Sequence, residues 1–397
     1  MAEAFFSLAV ITAVAFLCPF LATIIPGKWV QSSALVLIAG AVLGPHMLGL
    51  INPDAEGMGL LKSLGMAFIF LMGGYELSPQ AIVGKTGRHA IASWAFSFLL
   101  ALGVGVLMGR VLGGWSQVSI VAFAIALAST SYGKVEADVK NRQITDTRFG
   151  RVVASYGATG ELLPVVATAV LVGEGAPAVE LAIMAVFALL AVFAARFARH
   201  EQRRDTKIEQ FVEESSNAPQ MMEQLVIAIT VALVALGVIL GADMIVSGFA
   251  AGYVLKQLVP EGQKNSQALT MLRAVAYGFF IPVAFVLSGC GVDLAGGVRE
   301  PLIILLFMVL LLVVRGVPVF AAVTLFPAGN PLPTRQRIGV ALYSCTTMST
   351  VVAMTGVSVE AGDLSAAVAS TLVFAAALVT VVVPLAERLI EPAKDIQ

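Results

Sequence analysis

The sequence predicts an all-α polytopic membrane protein of about 13 transmembrane helices, built from two inverted six-helix repeats. Three observations carry this: the composition, the spacing of the apolar runs and the sidedness of the basic residues. Of 397 residues, 58% are hydrophobic and 12% charged, and that charged share is roughly half of what a soluble protein carries. Runs at 3–24, 90–109, 301–325 and 364–386 approach or exceed the ~20 apolar residues that cross a bilayer as helix. The net charge of −1 identifies no partner.

In chain order the apolar segments fall at 3–24, 30–50, 59–77, 90–110, 116–133, 149–172, 177–196, 222–241, 243–259, 271–290, 301–325, 336–357 and 364–386. The first has no basic flank and no cleavage site, so it is expected to be a retained helix, not a signal peptide. With the N-terminus outside, the alternating loops put twenty of the 24 Lys and Arg residues on the cytoplasmic side. Only Lys62, Arg110 and Arg299 lie outside, and Arg315 falls within a span. This is the bias of the positive-inside rule. It sets the N-terminus outside and the C-terminus in the cytoplasm. Cys18, Cys290 and Cys345 sit in apolar segments and read as buried thiols, not as a disulfide framework.

The stretch 197–221 is rich in Arg, Glu and Gln and ends in Ser-Ser-Asn-Ala-Pro. It reads as a cytoplasmic linker. The chain then divides into a first repeat over 1–176 (spans 1–6), a linker helix and loop over 177–221, and a second repeat over 222–397 (spans 8–13). The halves echo each other. Phe70-Leu-Met-Gly-Gly-Tyr-Glu76-Leu-Ser-Pro resembles Phe285-Val-Leu-Ser-Gly-Cys-Gly-Val-Asp293-Leu, with Glu76 and Asp293 217 residues apart. At the same offset Ser129-Thr130-Ser131 meets Thr346-Thr347-Met348-Ser349-Thr350. An odd number of spans between equivalent elements makes the repeats inverted, an architecture of many secondary transporters.

Two charges cannot be placed in loops: Glu161 in the sixth span and Arg315 in the eleventh. A charge at the bilayer centre costs about 2.5–3.5 kcal/mol on insertion scales and needs a partner, water or a function. One reading is a buried ion pair joining two helices. The other is a cation site. Gly160 precedes Glu161 and Pro164 follows it; glycine admits close approach, and proline frees a carbonyl in the preceding turn. One carboxylate binds a proton or a metal cation, and competition for it is sufficient for exchange. Arg315 stays protonated and can compensate Glu161 without carrying the transported proton.

The fifth span carries Ser129, Thr130 and Ser131, and the twelfth carries Thr346, Thr347, Ser349 and Thr350. Hydroxyl-rich stretches at membrane depth suit helices that unwind around a site, although such side chains also bond back to their own helix. Glu76 and Asp293 end their helices, where capping or solvation accounts for them. His46, His89 and His200 are too scattered for a metal site. No phosphate loop, zinc spacing or nucleophile triad is present, so the chain does not read as an enzyme, and no cofactor is expected. The basic loops orient the protein and imply no nucleic acid.

With these residues in view the chain resembles the cation:proton antiporter superfamily, in its bacterial monovalent cation:proton antiporter-2 branch. The resemblance rests on Ile38-Ala-Gly-Ala-Val-Leu-Gly-Pro45-His-Met-Leu-Gly-Leu, on 70–79, on 280–293 and on the hydroxyl-bearing fifth span. It implies crossed discontinuous helices beside the ion-binding acid and a homodimer in the bacterial cytoplasmic (inner) membrane. It also implies a core of spans 4–6 and 11–13 moving like an elevator against spans 1–3 and 8–10. Glu161 matches the family's ion-binding, proton-carrying acid and Arg315 its basic residue. Gly160 departs from the pattern, standing where the family has a second polar residue, which favours electroneutral exchange. The implied activity is Na+ or K+ exchange for H+, serving pH homeostasis. Thr130 and Ser131 would help to bind the cation, with Gly160, Thr347 and Ser349 supporting. An ion channel, a transporter-fold sensor without transport and a solute symporter are the alternatives.

Overall fold

The computed structural model describes residues 1–24, 32–77, 79–112, 114–172, 177–201, 218–259, 266–293, 301–327, 329–360, 362 and 364–390. Much of the expected cytoplasmic linker, at 202–217, lies outside the described residues. Within them the protein is all-helical and polytopic. Nine helical segments are long and apolar enough to cross a membrane, and four shorter apolar ones (Ser32–Leu43, Gln117–Ala128, Met244–Leu258 and Ala367–Val383) accompany them. Together they account for the thirteen apolar segments of the sequence.

In chain order the helices are α1 (Ala2–Ile24), α2 (Ser32–Leu43), α3 (Met58–Glu76), the single turn α4 (Pro79–Ile82), α5 (Lys85–Leu112), α6 (Gln117–Ala128), α7 (Tyr132–Asn141) and α8 (Arg148–Leu171). There follow α9 (Pro177–Glu201), α10 (Ala218–Ile239) and α11 (Met244–Leu258). Next, α12 joins Ser266–Val275 to Ile281–Cys290 through a π turn, Ala276–Phe280, and α13 joins Pro301–Leu311 to Val317–Leu325 through a second, Leu312–Gly316. The last are α14 (Thr334–Ser344), α15 (Ser349–Glu360) and α16 (Ala366–Ile390).

Several boundaries have plain local causes. The second span is shorter than its apolar run, because α2 stops before Gly44-Pro45 and Gly49 takes a left-handed φ of 61°. Proline has no N–H to continue a helix, and the left-handed conformation favours glycine. Both π turns precede a proline, Pro282 in α12 and Pro318 in α13. Each proline leaves the carbonyl four residues earlier without its donor, and the backbone widens there.

The helices pack in two groups. In the first, α3 lies on α11 and α12, α2 lies on α1 and α12, and α10 lies on α11 and α12. In the second, α5, α6 and α8 pack with α13–α16 and carry α7 on α8. Helix α9 touches both, through α11 and α8, and α3 meets α7 where the groups face each other. Glycines set the closest contacts of the first group. A Cβ on Gly252 would lie 1.9 Å from the Leu71 carbonyl oxygen, one on Gly248 2.4 Å from that of Ala67, and one on Gly74 2.0 Å from that of Phe249. Small residues spaced by four let membrane helices approach backbone to backbone.

The distribution of polarity is that of a protein in lipid. Phe16 and Phe20 of α1, Leu99 and Leu107 of α5 and Leu189 and Phe193 of α9 point outward, whereas Ser129, Thr130, Thr159, Thr347 and Arg315 are buried. In hydrocarbon the polar groups must find partners inside the bundle. All three cysteines are buried free thiols, as their apolar surroundings predict.

Candidate functional site

The expected breaks occur in both hydroxyl-rich segments, and they meet. Helix α6 ends at Ala128, Ser129 takes an extended conformation, and α7 restarts at Tyr132. Helix α14 ends at Ser344 and α15 restarts at Ser349. The Ser131 N–H donates to the Thr346 carbonyl at 2.7 Å, and the Met348 N–H donates to the Ser131 Oγ at 3.3 Å. The Ser129 and Thr347 hydroxyls lie 2.5 Å apart, and the Thr130 hydroxyl donates to the Ser344 carbonyl at 2.6 Å. Unwinding strands backbone groups in a low-dielectric interior, and each break supplies partners for the other. Ser349, the first residue of α15, is also buried.

This brace is separable by mutation. Ser129→Ala and Thr347→Val should each cost about 0.5–1.5 kcal/mol, the net worth of one buried hydrogen bond. The double variant should cost less than the sum, because both changes remove the same contact. Thermal unfolding of the four proteins in detergent measures this; strict additivity would mean that the two hydroxyls do not interact.

Helix α8 runs beside the crossing. It delivers Gly160 and Glu161 to it on two different faces, since neighbouring residues of a helix point about 100° apart. The Gly160 carbonyl accepts the Thr130 N–H at 2.7 Å. Glu161 turns toward the first group of helices. Its Oε2 accepts the Tyr132 N–H at 2.8 Å, the first amide of α7, and its Oε1 lies so near α3 that a Cβ on Gly73 would sit 2.2 Å from it. A helix N-terminus carries a partial positive charge and open N–H groups, which attract a carboxylate. Glu161 is partly exposed and sits where the two groups of helices meet.

Arg315 is brought to the same level but not to the same face. It lies in the π turn of α13, is fully buried, and donates from Nη2 to the Tyr156 carbonyl at 3.2 Å. A Cβ on Gly160 would be 2.5 Å from that Nη2 and 2.4 Å from the Thr130 Oγ1. The buried Glu161–Arg315 ion pair that the sequence allows is therefore not formed: the guanidinium approaches α8 from the Gly160 side, and the carboxylate leaves from the other. Its Nε and Nη1 find no hydrogen-bond partner among the described residues. Gly160 is the space that Thr130 and Arg315 share.

The structure adds residues that the sequence does not single out. Tyr132 contributes its backbone amide, which leaves no side-chain signal. Gly73 contributes the absence of a side chain, and the Gly-Gly pair inside the 70–79 motif is its trace. Glu76 reads in the sequence as a helix-end residue, yet its Oε2 is buried. Among the described residues no group of three His, Cys, Asp or Glu side chains could hold a resident metal ion.

Comparisons with known proteins agree with this architecture. At 26% identity over 325 residues the chain is similar to YjbQ of Bacillus subtilis, by name a candidate Na+/H+ antiporter, covering 77% of this chain and 50% of the relative. It is also similar to "Probable Na(+)/H(+) antiporter 3" of Methanocaldococcus jannaschii, at 23% identity over 254 residues, covering 64% of this chain and 63% of the relative. The chain thus spans about half to three-fifths of the length of these curated relatives. Its fold is similar to that of the solved sodium proton antiporter MjNhaP1 of M. jannaschii, with a TM-score of 0.58, 15% identity and 98% of each chain covered. The family model described as "Sodium/hydrogen exchanger, transmembrane" matches residues 12–388, and the chain belongs to that family.

Proposed function

We propose that the chain exchanges a monovalent cation, Na+ or K+, for protons across the bacterial cytoplasmic membrane, with Glu161 as the group for which cation and proton compete. The observation that carries this is the seat of the Glu161 carboxylate: it lies at the crossing of two broken helices, on the first amide of α7, in a membrane chain of the exchanger family. Carboxylate and hydroxyl oxygens suit hard cations. The Thr130 hydroxyl, donated to Ser344 on the Gly160 side of α8 beside Arg315, braces the site, while Ser131 Oγ and the unwound carbonyls, that of Thr130 among them, offer oxygens for a cation. Arg315 keeps a permanent positive charge inside the core. It acts on Glu161 through the field, not by direct pairing, while Thr347 and Ser349 hold the second break.

The grouping of helices supports an elevator-like movement. Helices α5–α8 and α13–α16 would travel as the core past α1–α3 and α10–α12, carrying Glu161 from one side of the membrane to the other. The repeats would be inverted, spanning 1–176 and 222–397 and linked by 177–221, with the N-terminus outside, the C-terminus inside and a homodimer formed through the non-core helices. With Glu161 as the sole exchanging acid, one proton would leave for each cation bound, and transport would be electroneutral.

The test is purified protein in liposomes with an acid interior, to which Na+, K+ or Li+ is added outside. The expected result is cation-dependent collapse of the pH gradient, insensitive to a clamped membrane potential. No collapse with any of the three cations would overturn the proposal.

A further inference from the structure

We propose that the cleft between the first turns of α5 and α8 is a binding site for a phosphate-class anion, held by Arg148, His89 and Thr86. The inference goes beyond the exchange function and does not depend on it.

The cleft lies within the second group of helices, where α5, α8 and the connection from α13 to α14 come together. Both α5 and α8 begin there, on the side that the basic loops mark as cytoplasmic. Thr86 and His89 come from the first two turns of α5, and Arg148 is the first residue of α8. Val152, Val323 and Phe326 line the walls with hydrocarbon. Among the described residues no carboxylate lines the cleft. A basic residue at this level has an ordinary explanation, since such charges orient the chain and are solvated. Lys85 and Arg88 fit it, both being exposed. Arg148 and His89 do not.

Arg148 is half-buried, and a Cβ on Gly329 would sit 3.4 Å from its Nη2. The ion pairs among the described residues, Lys140 with Glu136 and Arg142 with Asp138, leave it without a carboxylate. A second guanidinium, that of Arg337, is spent on the chain itself, donating from Nε to the Leu332 carbonyl at 2.6 Å. On the α5 wall the His89 ring leans on Phe326, with centroids 5.9 Å apart. Its Nδ1 is buried and has no hydrogen-bond partner among the described residues. A buried polar atom left unmade costs stability, and the apolar walls strengthen whatever charge interaction forms between them. One anion with several acceptor oxygens answers both the guanidinium and the imidazole.

The donor set selects the class of anion. A guanidinium fork matches phosphate with two parallel bonds, and the Thr86 hydroxyl and the imidazole supply donors from another helix. Donors from two helices suit a tetrahedral group better than a planar carboxylate. The closed part of the cleft measures about 20 Å³, room for one water-sized group. One phosphate oxygen therefore enters, and the rest of the anion stays at the mouth. Free phosphate and a phospholipid headgroup both offer this chemistry at the membrane surface. Tyr156 also lines the cleft, and its carbonyl accepts from Arg315, so the anion would sit beside the residue that anchors the buried guanidinium.

The experiment is binding to the purified full chain in neutral detergent, read as the rise in thermal unfolding midpoint. Inorganic phosphate and phosphatidylglycerol are added separately, with chloride and phosphatidylcholine as their controls. The parent should be stabilised beyond the controls. Arg148→Gln should raise the half-maximal concentration by about tenfold or more, as expected for loss of hydrogen bonds between charged groups. His89→Leu should raise it by a smaller factor, and Arg110→Gln, in the last turn of α5, should leave it unchanged. An effect of inorganic phosphate supports a free anion as the occupant; an effect of phosphatidylglycerol alone supports a headgroup. No stabilisation by either, or equal stabilisation of the parent and Arg148→Gln, would overturn the proposal. Were Arg148→Gln to misfold, an unchanged half-maximal concentration in His89→Leu would overturn it instead.

Discussion

Glu161→Gln should reduce cation-dependent proton movement in liposomes by at least about a hundredfold, the low end of what a positioned proton-transfer group contributes. The amide has the shape of the carboxylate and keeps an oxygen to accept the Tyr132 N–H, so the local fold has no reason to change. What it loses is the negative charge that binds a cation and the proton that is traded for it. Folding and transport should therefore separate: the variant should match the parent in detergent thermal unfolding and fail in exchange. Glu161→Asp, one methylene shorter and still ionisable, should retain part of the activity. If Glu161→Gln exchanged at the parental rate, the transported proton would have to be carried elsewhere, and the seat on α7 would be a structural one.

The largest loss of stability is expected from Gly252→Val. The Cβ that it introduces falls 1.9 Å from the Leu71 carbonyl oxygen and 2.9 Å from the Tyr75 nitrogen. Both are backbone atoms of α3, so no rotamer change relieves the clash and the two helices must part. Overpacking of this kind costs typically ~1–3 kcal/mol and occasionally more, and a backbone clash belongs at the upper end. Thermal unfolding in detergent should show it as a clear drop in midpoint. Gly73→Ala makes the useful contrast, because its Cβ meets the Glu161 carboxylate at 2.2 Å, the free end of a flexible side chain. That variant should fold nearly as well as the parent and exchange poorly, since relief of the clash moves Glu161 off its seat. Equal stability losses in the two variants would mean that the α3–α11 contact adapts far more than its geometry suggests.

Much of the molecule is legible in its amino-acid sequence. The thirteen apolar segments reappear as helices because hydrocarbon leaves a spanning segment little choice: its backbone must bond within itself, and length and apolarity suffice to identify it. The breaks at 129–131 and 345–348 are legible for a related reason, since hydroxyl side chains at membrane depth offer the backbone an alternative to the helix. Glu161 and Arg315 stand out because a charge in an apolar run is costly and few residues bear that cost.

The relations between these elements are not legible in the same way. Nothing in the sequence says that Glu161 and Arg315 leave α8 and α13 toward different faces, because helical phase relative to a neighbour is set by packing. Glu76 reads there as an ordinary helix end, and only the packing buries its Oε2. The Tyr132 amide is silent too, since any residue but proline would supply it and it matters only because α7 begins at that point. The sequence by itself determined which segments enter the membrane, where they break and which charges they take along. The tertiary structure alone decided which charges face each other, because that depends on helix rotation and close glycine contacts between segments distant in the chain.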